Sequence, residues 1–350
     1  MKIAIINNYV PFVYGGAEFL ADSLLDKLRE YGHEAIFVKI PFVWNPPQKI
    51  LENILLNRLI QLNQDVYKLK IDRVIALKFP VYYVQHPNKV LWLLHQFRQV
   101  YDLWGTPYGM EPTPENLSIR EAIIRADNLY LREAKRIYTN SKVVSGRLKR
   151  FNDIDSQVLY PPLMDSEKFH TGPYGDYIFY PSRIVSGKRQ QDAIESMQYV
   201  KSGVRLVIAG HSESGEWLQR LEALVREKGL KQKVTILGRW ISQEEKVELF
   251  ANALGTIYIP YDEDSYGYVS LESYHACKPV ITCTDSGGTL EVVEDGVTGY
   301  VVPPDHKAIA EAMDKLFTDK NNAQRMGTKG MDHLKSMGIS WDNIIRCLTT

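Results

Sequence analysis

Short apolar, β-rich runs alternating with helical patterns predict an α/β chain built as two doubly wound, parallel-sheet domains. Three observations carry this. The runs are almost continuously apolar, as strands covered on both faces by crossover helices must be. The spacers have helical period: in AEFLADSLLDKLREYG, Phe19, Leu20, Leu24 and Leu28 share one stripe and Gly32 suits a left-handed C-cap. The pattern also stops and restarts. Around MDSEKFHTGPYGD (164–176) Gly, Pro and Asp replace it, a linker composition that separates a domain at 1–165 from one at 166–335.

In order, the first domain offers KIAIIN (2–7), AIFVKI (35–40), RVIAL (73–77), KVLWLLH (89–95), RIYTN (136–140) and QVLY (157–160) as strands. The second offers YIFYPS (177–182), VRLVIAG (204–210), VTILG (234–238), GTIYIP (255–260) and PVITCT (279–284). Ligands of such sheets bind beyond the carboxyl ends of strands, so the junctions there are where chemistry is sought.

Composition narrows the class. A chain of 350 residues with 45% hydrophobic and 24% charged residues is an ordinary globular protein. Zero net charge argues against a dedicated nucleic-acid binder. The balance is uneven, with 21 Lys and Arg against 17 Asp and Glu in residues 1–165. The basic excess gathers in LREAKRIYTNSKVVSGRLKRF, which reads either as a solvated helix face or as a surface meeting anionic lipid or an acidic acceptor. MKIAIINNYVPF reads as a strand, not a signal peptide, and no run reaches the ~18 apolar residues of a membrane helix. Cys277, Cys283 and Cys347 have no metal-ligand spacing and read as reduced, buried thiols of a cytosolic protein.

Four junctions carry candidate chemistry. Gly15 and Gly16 precede a helix, where backbone N–H groups and the helix's positive end suit an anion, although a lone pair of glycines is equally a simple turn. The absent GxGxxG disfavours a nicotinamide cofactor. In PSRIVSGKRQQDAI, Arg183 and Lys188 flank a Gly-containing loop; it is no P-loop, because Arg189 stands where a Ser or Thr would bind metal. Two cations there suit a diphosphate, or are merely exposed. In DEDSYGYVSLESYHACKP, Asp264 stands before a helix and Glu272 in its second turn. The triplet Asp262-Glu263-Asp264 also has the form of an Asp-x-Asp cation site. Gly287 and Gly288 follow the next strand.

These residues together resemble retaining, nucleotide-sugar-dependent glycosyltransferases of family 4. The elements run in order from about residue 2 to 317. Gly15-Gly16-Ala17-Glu18, Gly32-His33-Glu34-Ala35, Asn140-Ser141-Lys142, Arg183 to Lys188, Asp264 with Tyr266-Gly267 and Glu272, Cys277-Lys278-Pro279, and Glu291 to Gly299 all match. Two departures stand out: Asp264 replaces the family's Glu, and Pro161-Pro162-Leu163-Met164-Asp165 replaces its Asn-Gly-Val-Asp linker.

The resemblance implies the GT-B fold, two Rossmann-like domains facing an interdomain cleft, with the segment 336–350 as a closing helix returning to the first. It implies a metal-independent hexosyl transfer from a nucleotide-diphosphate sugar to a hydroxyl of a glycan or lipid-linked saccharide, with no cofactor. The expected location is cytoplasmic, at the inner face of a membrane by peripheral association where the acceptor is lipid-linked. By resemblance Glu272 accepts from ribose hydroxyls, Asp264 faces the donor sugar, and the backbone around Tyr266, Gly267, Tyr268 and Val269 holds sugar and distal phosphate. Arg183 and Lys188 steady the leaving diphosphate, Gly15 and Gly16 approach it, and Arg239 marks the nucleobase. His95 matches a donor-contacting histidine, although its neighbours Trp92 and Leu94 fit a core position as well. Two alternatives stay open: a catalytically silent nucleotide or sugar binder on this scaffold, and a metal-dependent Asp-x-Asp enzyme.

Overall fold

The computed structural model describes residues 1–12, 15–63, 70–212 and 215–350. They form two compact units, Met1–Pro162 with Ile339–Thr350, and Leu163–Gly338.

Unit 1 begins with β1 (Lys2–Tyr9), α1 (Gly16–Glu30), β2 (Glu34–Pro41), α2 (Lys49–Leu59), β3 (Arg73–Lys78) and β4 (Lys89–His95). It continues through α3 (Pro114–Tyr130), β5 (Arg136–Thr139), α4 (Lys142–Asn152) and β6 (Gln157–Val158). The six strands are parallel in the order β2-β1-β3-β4-β5-β6. Every residue of β3 from Arg73 to Leu77 is buried, as helices on both faces require. One face packs Ile50 of α2, Ile119 and Ile123 of α3 and Leu148 of α4. The other packs Leu20, Leu24 and Leu28 of α1 with Trp92. The expected α1 stripe therefore holds except at Phe19, which is exposed. Gly32 sits at φ +81, the left-handed conformation that ends α1. Ser141 caps α4, its Oγ accepting from Val144 N at 3.1 Å.

Unit 2 runs β7 (Tyr177–Pro181), α5 (Gln190–Ser196), β8 (Arg205–Ala209), α6 (Glu216–Glu227), β9 (Val234–Leu237), α7 (Gln243–Ala251) and β10 (Gly255–Ile257). Then come α8 (Tyr268–His275), β11 (Val280–Cys283), β12 (Gly299–Val302), α9 (His306–Thr318) and α10 (Lys320–Ser336). Its parallel sheet has the order β12-β11-β10-β7-β8-β9. Lys278 is buried at the start of β11, donating to the carbonyls of Gly172 and Pro173, both at 3.1 Å. Burial lowers its ammonium to about 8.

The last helix, α11 (Trp341–Thr349), belongs to unit 1. Its apolar stripe buries Ile344, Ile345 and Leu348 with α1, and Arg73 donates to Leu348 O at 2.9 Å. The cysteines are all free, but Cys277 and Cys347 are half-buried; Cys283 is fully enclosed. No helix among the described residues is long and apolar enough to cross a membrane.

Candidate functional site

In unit 2 the chain lays β8 and β9 to one side of β7, then crosses back to place β10 on the other. The carboxyl ends of β7 and β10 therefore form the switch point where such sheets bind ligands. Three loops meet there: 182–189 after β7, 258–267 after β10 and 284–288 after β11.

Arg189 ties all three. It donates to Ile259 O at 2.7 Å and Pro260 O at 2.9 Å, and forks onto Asp285 at 2.8 and 2.9 Å. Burial opposes its charge, yet the Asp285 fork outweighs that and raises its pKa. Tyr261 N donates to Gly187 O at 3.0 Å, adding a backbone tie. The acidic loop is strapped down too: Gly288 N donates to Glu263 O at 2.8 Å, and a Cβ on Gly287 would lie 2.4 Å from that same carbonyl. The second glycine pair thus serves close backbone approach.

Lys188 Nζ donates to Tyr258 Oη at 2.7 Å and pairs with the Glu263 carboxylate, which also accepts from Tyr258 Oη at 2.9 Å. Burial, then the Glu263 charge, pushes the Tyr258 phenol well up, with Arg183 opposing. Tyr258 stays neutral and bridges cation and carboxylate. An ammonium has three N–H donors, and these contacts use two. Arg183 is exposed at the loop rim, and Asp264 is half-buried. Tyr266 is buried beneath the loop.

Gly267 has φ +69, and a Cβ there would sit 2.2 Å from the Tyr258 ring, so glycine alone fits. It opens α8, whose first amides, Tyr268 and Val269, lack intrahelical partners and mark the positive end of the helix. One turn on, Glu272 is 7% exposed. Its Oε1 accepts from Lys246 Nζ at 2.5 Å, leaving Oε2 for another donor. Burial raises the Glu272 pKa, and Lys246 pulls it back.

Arg239 lies after β9, an edge strand, and forks onto Glu245 at 2.6 and 2.9 Å. It is not brought into the Lys188 cluster. Gly15, Gly16 and His95 belong to unit 1. Gly15 N donates to Glu18 Oε2 at 3.0 Å, while Glu18 Oε1 accepts from Lys78 at 2.8 Å. His95 Nδ1 lies 2.7 Å from Gln96 O; a carbonyl only accepts, so Nδ1 carries the proton. His95 lines a cavity of about 220 Å³ with Asn8, Phe42, Trp44, Lys78 and Phe97, at the carboxyl ends of β1 to β4. It is thus half-exposed to a pocket rather than sealed in the core.

Sequence reasoning missed Glu263, Tyr258, Arg189, Asp285 and Lys246. Arg189 was legible as the residue that spoils a P-loop, but its partner stands 96 residues away. Among the described residues no three or more His, Cys, Asp or Glu side chains group as a metal site.

Residues 166–333 match the family glycosyl transferases group 1. In that stretch, just under half of the chain, the protein is similar to that group, and its two parallel-sheet units have the architecture of the GT-B fold. It is 38% identical over 135 residues to the alpha-1,3/1,6-mannosyltransferase ALG2 of Dictyostelium discoideum, covering 37% of this chain and 31% of that protein. It is 27% identical over 231 residues to a GDP-mannose-dependent alpha-(1-6)-phosphatidylinositol monomannoside mannosyltransferase of Mycobacterium tuberculosis, covering 59% of this chain and 57% of that protein. The chain thus spans about a third to somewhat over half the length of these relatives. In fold it is similar to the sucrose-phosphate synthase of Thermosynechococcus elongatus, with TM-score 0.79 and 17% identity over 99% of this chain and 97% of that one. Two six-stranded parallel sheets are what GT-B proteins are built from, and the matched segment holds all three loops of the unit 2 site.

Proposed function

We propose that the chain is a retaining glycosyltransferase that moves a sugar from a nucleotide-diphosphate sugar to a hydroxyl of a glycan or lipid-linked saccharide. The observation that carries this reading is the gathering of Lys188, the Arg183 loop, the amino end of α8 and Glu272 at the switch point of the sheet in the family-matched unit. Support for a sugar nucleotide as donor comes from the relatives, one of which is GDP-mannose-dependent by name.

In this reading Glu272 Oε2 accepts from the ribose hydroxyls. The amides of Tyr268 and Val269 hold sugar and distal phosphate. Asp264 faces the sugar hydroxyls; one methylene shorter than Glu, it reaches them through water. Tyr266 and Gly267 set the loop. Lys188 and Arg183 stabilise the charge that develops as the anomeric C–O bond to phosphate breaks. The acceptor oxygen bonds to the anomeric carbon on the face the phosphate leaves, and its proton passes to a phosphate oxygen. Fixed cations and a helix terminus are preorganised for this and need no reorganisation during the reaction. Unit 1 contributes Gly15, Gly16 and His95, and its aromatic cavity suits the acceptor. Arg239 borders the nucleobase, and the setting is cytoplasmic.

The test is nucleotide-diphosphate release from a panel of nucleotide sugars, with and without EDTA. Release that survives EDTA is expected. No release from any donor makes the protein a silent binder, and release abolished by EDTA makes it a metal-dependent enzyme.

A further inference from the structure

Two segments at the carboxyl ends of neighbouring strands wall the unit 1 cavity: Lys78 and Phe79 at the end of β3, and His95, Phe97 and Gln99 at the end of β4. Beyond its strand each carries only one short 3-10 turn, Val81–Tyr83 or Arg98–Val100, so its course must be fixed from beneath. A single carboxylate ties both. Asp127 of α3 is fully buried, and its partners are neutral hydroxyls. Tyr82 and Tyr83 Oη donate to its Oδ1 at 2.8 and 2.6 Å, and Tyr101 Oη donates to its Oδ2 at 2.6 Å. Tyr82 and Tyr83 close the first segment and meet the Phe79 ring edge-on, with centroids 6.0 and 5.7 Å away, while Phe79 lies 5.0 Å from Phe97. Tyr101 closes the second. Its Oη accepts from Asn152 Nδ2 at 3.3 Å, Asn152 Oδ1 accepts from Gln96 Nε2, and Gln96 O accepts from His95 Nδ1 at 2.7 Å. The carboxylate thus reaches His95 through Tyr101, Asn152 and Gln96.

A core that had only to be stable would gain little from this cluster. Apolar side chains of like volume often replace buried charged groups without loss, whereas a satisfied polar network selects one arrangement of the groups it joins. We propose that Asp127 is a positioning residue: through Tyr82, Tyr83 and Tyr101 it holds the two walls of the unit 1 cavity in place and sets where His95 stands in it. Asp127 itself is sealed beneath the tyrosines and touches no substrate. The bearing on catalysis rests on the reading that the chain transfers a sugar; the placing of His95 does not.

The test is Asp127→Asn in the full chain. The amide keeps an oxygen for two tyrosines but turns a donor on Tyr101, whose Oη already accepts from Asn152, so the branch to His95 is the one broken. The first readout is nitrogen-15 NMR of the histidine rings, with the His95 signals assigned by their absence in His95→Gln. The wild type should show one neutral tautomer, protonated at Nδ1, and the variant should lose that single form and show both. The second is donor hydrolysis. Its kcat should fall about tenfold with donor KM within about twofold of wild type, because His95 is misplaced while the site in unit 2 is untouched. Ile123→Val, one turn away on α3 and buried in the same layer, loosens the helix without entering the network and should change neither. Unaltered His95 signals in Asp127→Asn overturn the proposal, as do signals that Ile123→Val alters equally. Altered signals with kcat unchanged overturn its bearing on the reaction. If Asp127→Asn does not fold, Tyr101→Phe breaks the same branch and is read by the same criteria; failure of both to fold makes the cluster plain core and overturns the proposal. Absence of hydrolysis by the wild type from every donor overturns the sugar-transfer reading instead, and the His95 signals still decide the placing of the ring.

Discussion

Removal of the Lys188 ammonium is the sharpest probe of the proposed chemistry. In Lys188→Ala the loop loses a cation that now donates to Tyr258 Oη at 2.7 Å and pairs with Glu263. The structural cost is small. The Lys188 and Glu263 side chains are 17% and 21% exposed, so water reaches the orphaned carboxylate, and Tyr258 Oη still donates to it at 2.9 Å. We expect a loss of stability of about 1 kcal/mol, near the upper range for a partly exposed pair. The kinetic cost should be larger. A preorganised donor aimed at developing charge is worth about 2.7–4 kcal/mol, or about 10²–10³ in kcat. Lys188→Arg should recover part of it, since charge returns without the single-point geometry. The assay is release of nucleotide diphosphate at saturating donor, with circular dichroism to verify the fold. Turnover within about threefold of wild type in a folded Lys188→Ala protein would refute the assignment of the leaving-group role.

Lys246→Met should strand the buried Glu272 carboxylate and cost about 3 kcal/mol in urea denaturation, the low end for a broken buried pair because Lys246 is a quarter exposed; adding Glu272→Gln should restore most of it, and failure to do so denies the pairing. Gly267→Ala should cost about 2–5 kcal/mol, from a left-handed φ and a Cβ 2.2 Å from the Tyr258 ring, read as a fall in melting temperature. Glu263→Gln should leave Lys188 its charge while removing a competing carboxylate, and tighten nucleotide-diphosphate binding about fivefold by calorimetry; unchanged or weaker binding counts against a phosphate role for Lys188. Asp127 is fully buried beneath the hydroxyls of Tyr82, Tyr83 and Tyr101, and burial lifts it from 3.8 to about 6 despite their three hydrogen bonds. The folded state therefore holds this proton more tightly than the unfolded one. Its contribution to stability falls by about 3 kcal/mol as pH rises from about 3 to about 7, through both pKa values, and is level above. The stability difference between wild type and Asp127→Asn should shrink over that window, and a difference that grows with pH refutes the sign.

Strand period made much of the fold legible: the runs read from KIAIIN to PVITCT are the strands of both sheets, because burial on two faces leaves a continuous apolar signature. β12 (GYVV) escaped notice as a four-residue strand between glycine and proline turns. α2 escaped for a deeper reason. Its apolar residues fall on both faces, Ile50 and Ile54 against the core and Leu51, Leu55, Leu56 and Leu59 outward, while Asn53 and Asn57 take buried positions, so no single apolar stripe marks the helix. The same logic divides the site. Asp264, Gly267 and Glu272 stand within one loop and helix, and their spacing is a local fact. Glu263 pairs with a lysine 75 residues earlier, and Glu272 with one 26 residues earlier. Which carboxylate of the Asp262-Glu263-Asp264 triplet meets Lys188 depends on how the Gly287 turn straps that loop, a tertiary outcome that residue type does not encode.

The pairing of Lys188 with Glu263 bears on why a site for an anion should hold carboxylates at all. A lone ammonium in a half-buried loop would lose conformational definition and raise the cost of keeping the loop folded. Bound to Glu263 and Tyr258, it is fixed in place before any ligand arrives, with one N–H direction uncommitted. Arg189, the more buried cation, is spent on Asp285, the Ser286 hydroxyl and two carbonyls, and so acts as the strut that fixes the loop rather than as a phosphate ligand. The division of labour follows from chemistry: a planar guanidinium suits a permanent multi-point clamp, and a flexible ammonium suits a contact that must be shared with an incoming diphosphate. On that reasoning Glu263 is as much a part of the site as Lys188, because it sets where the charge waits.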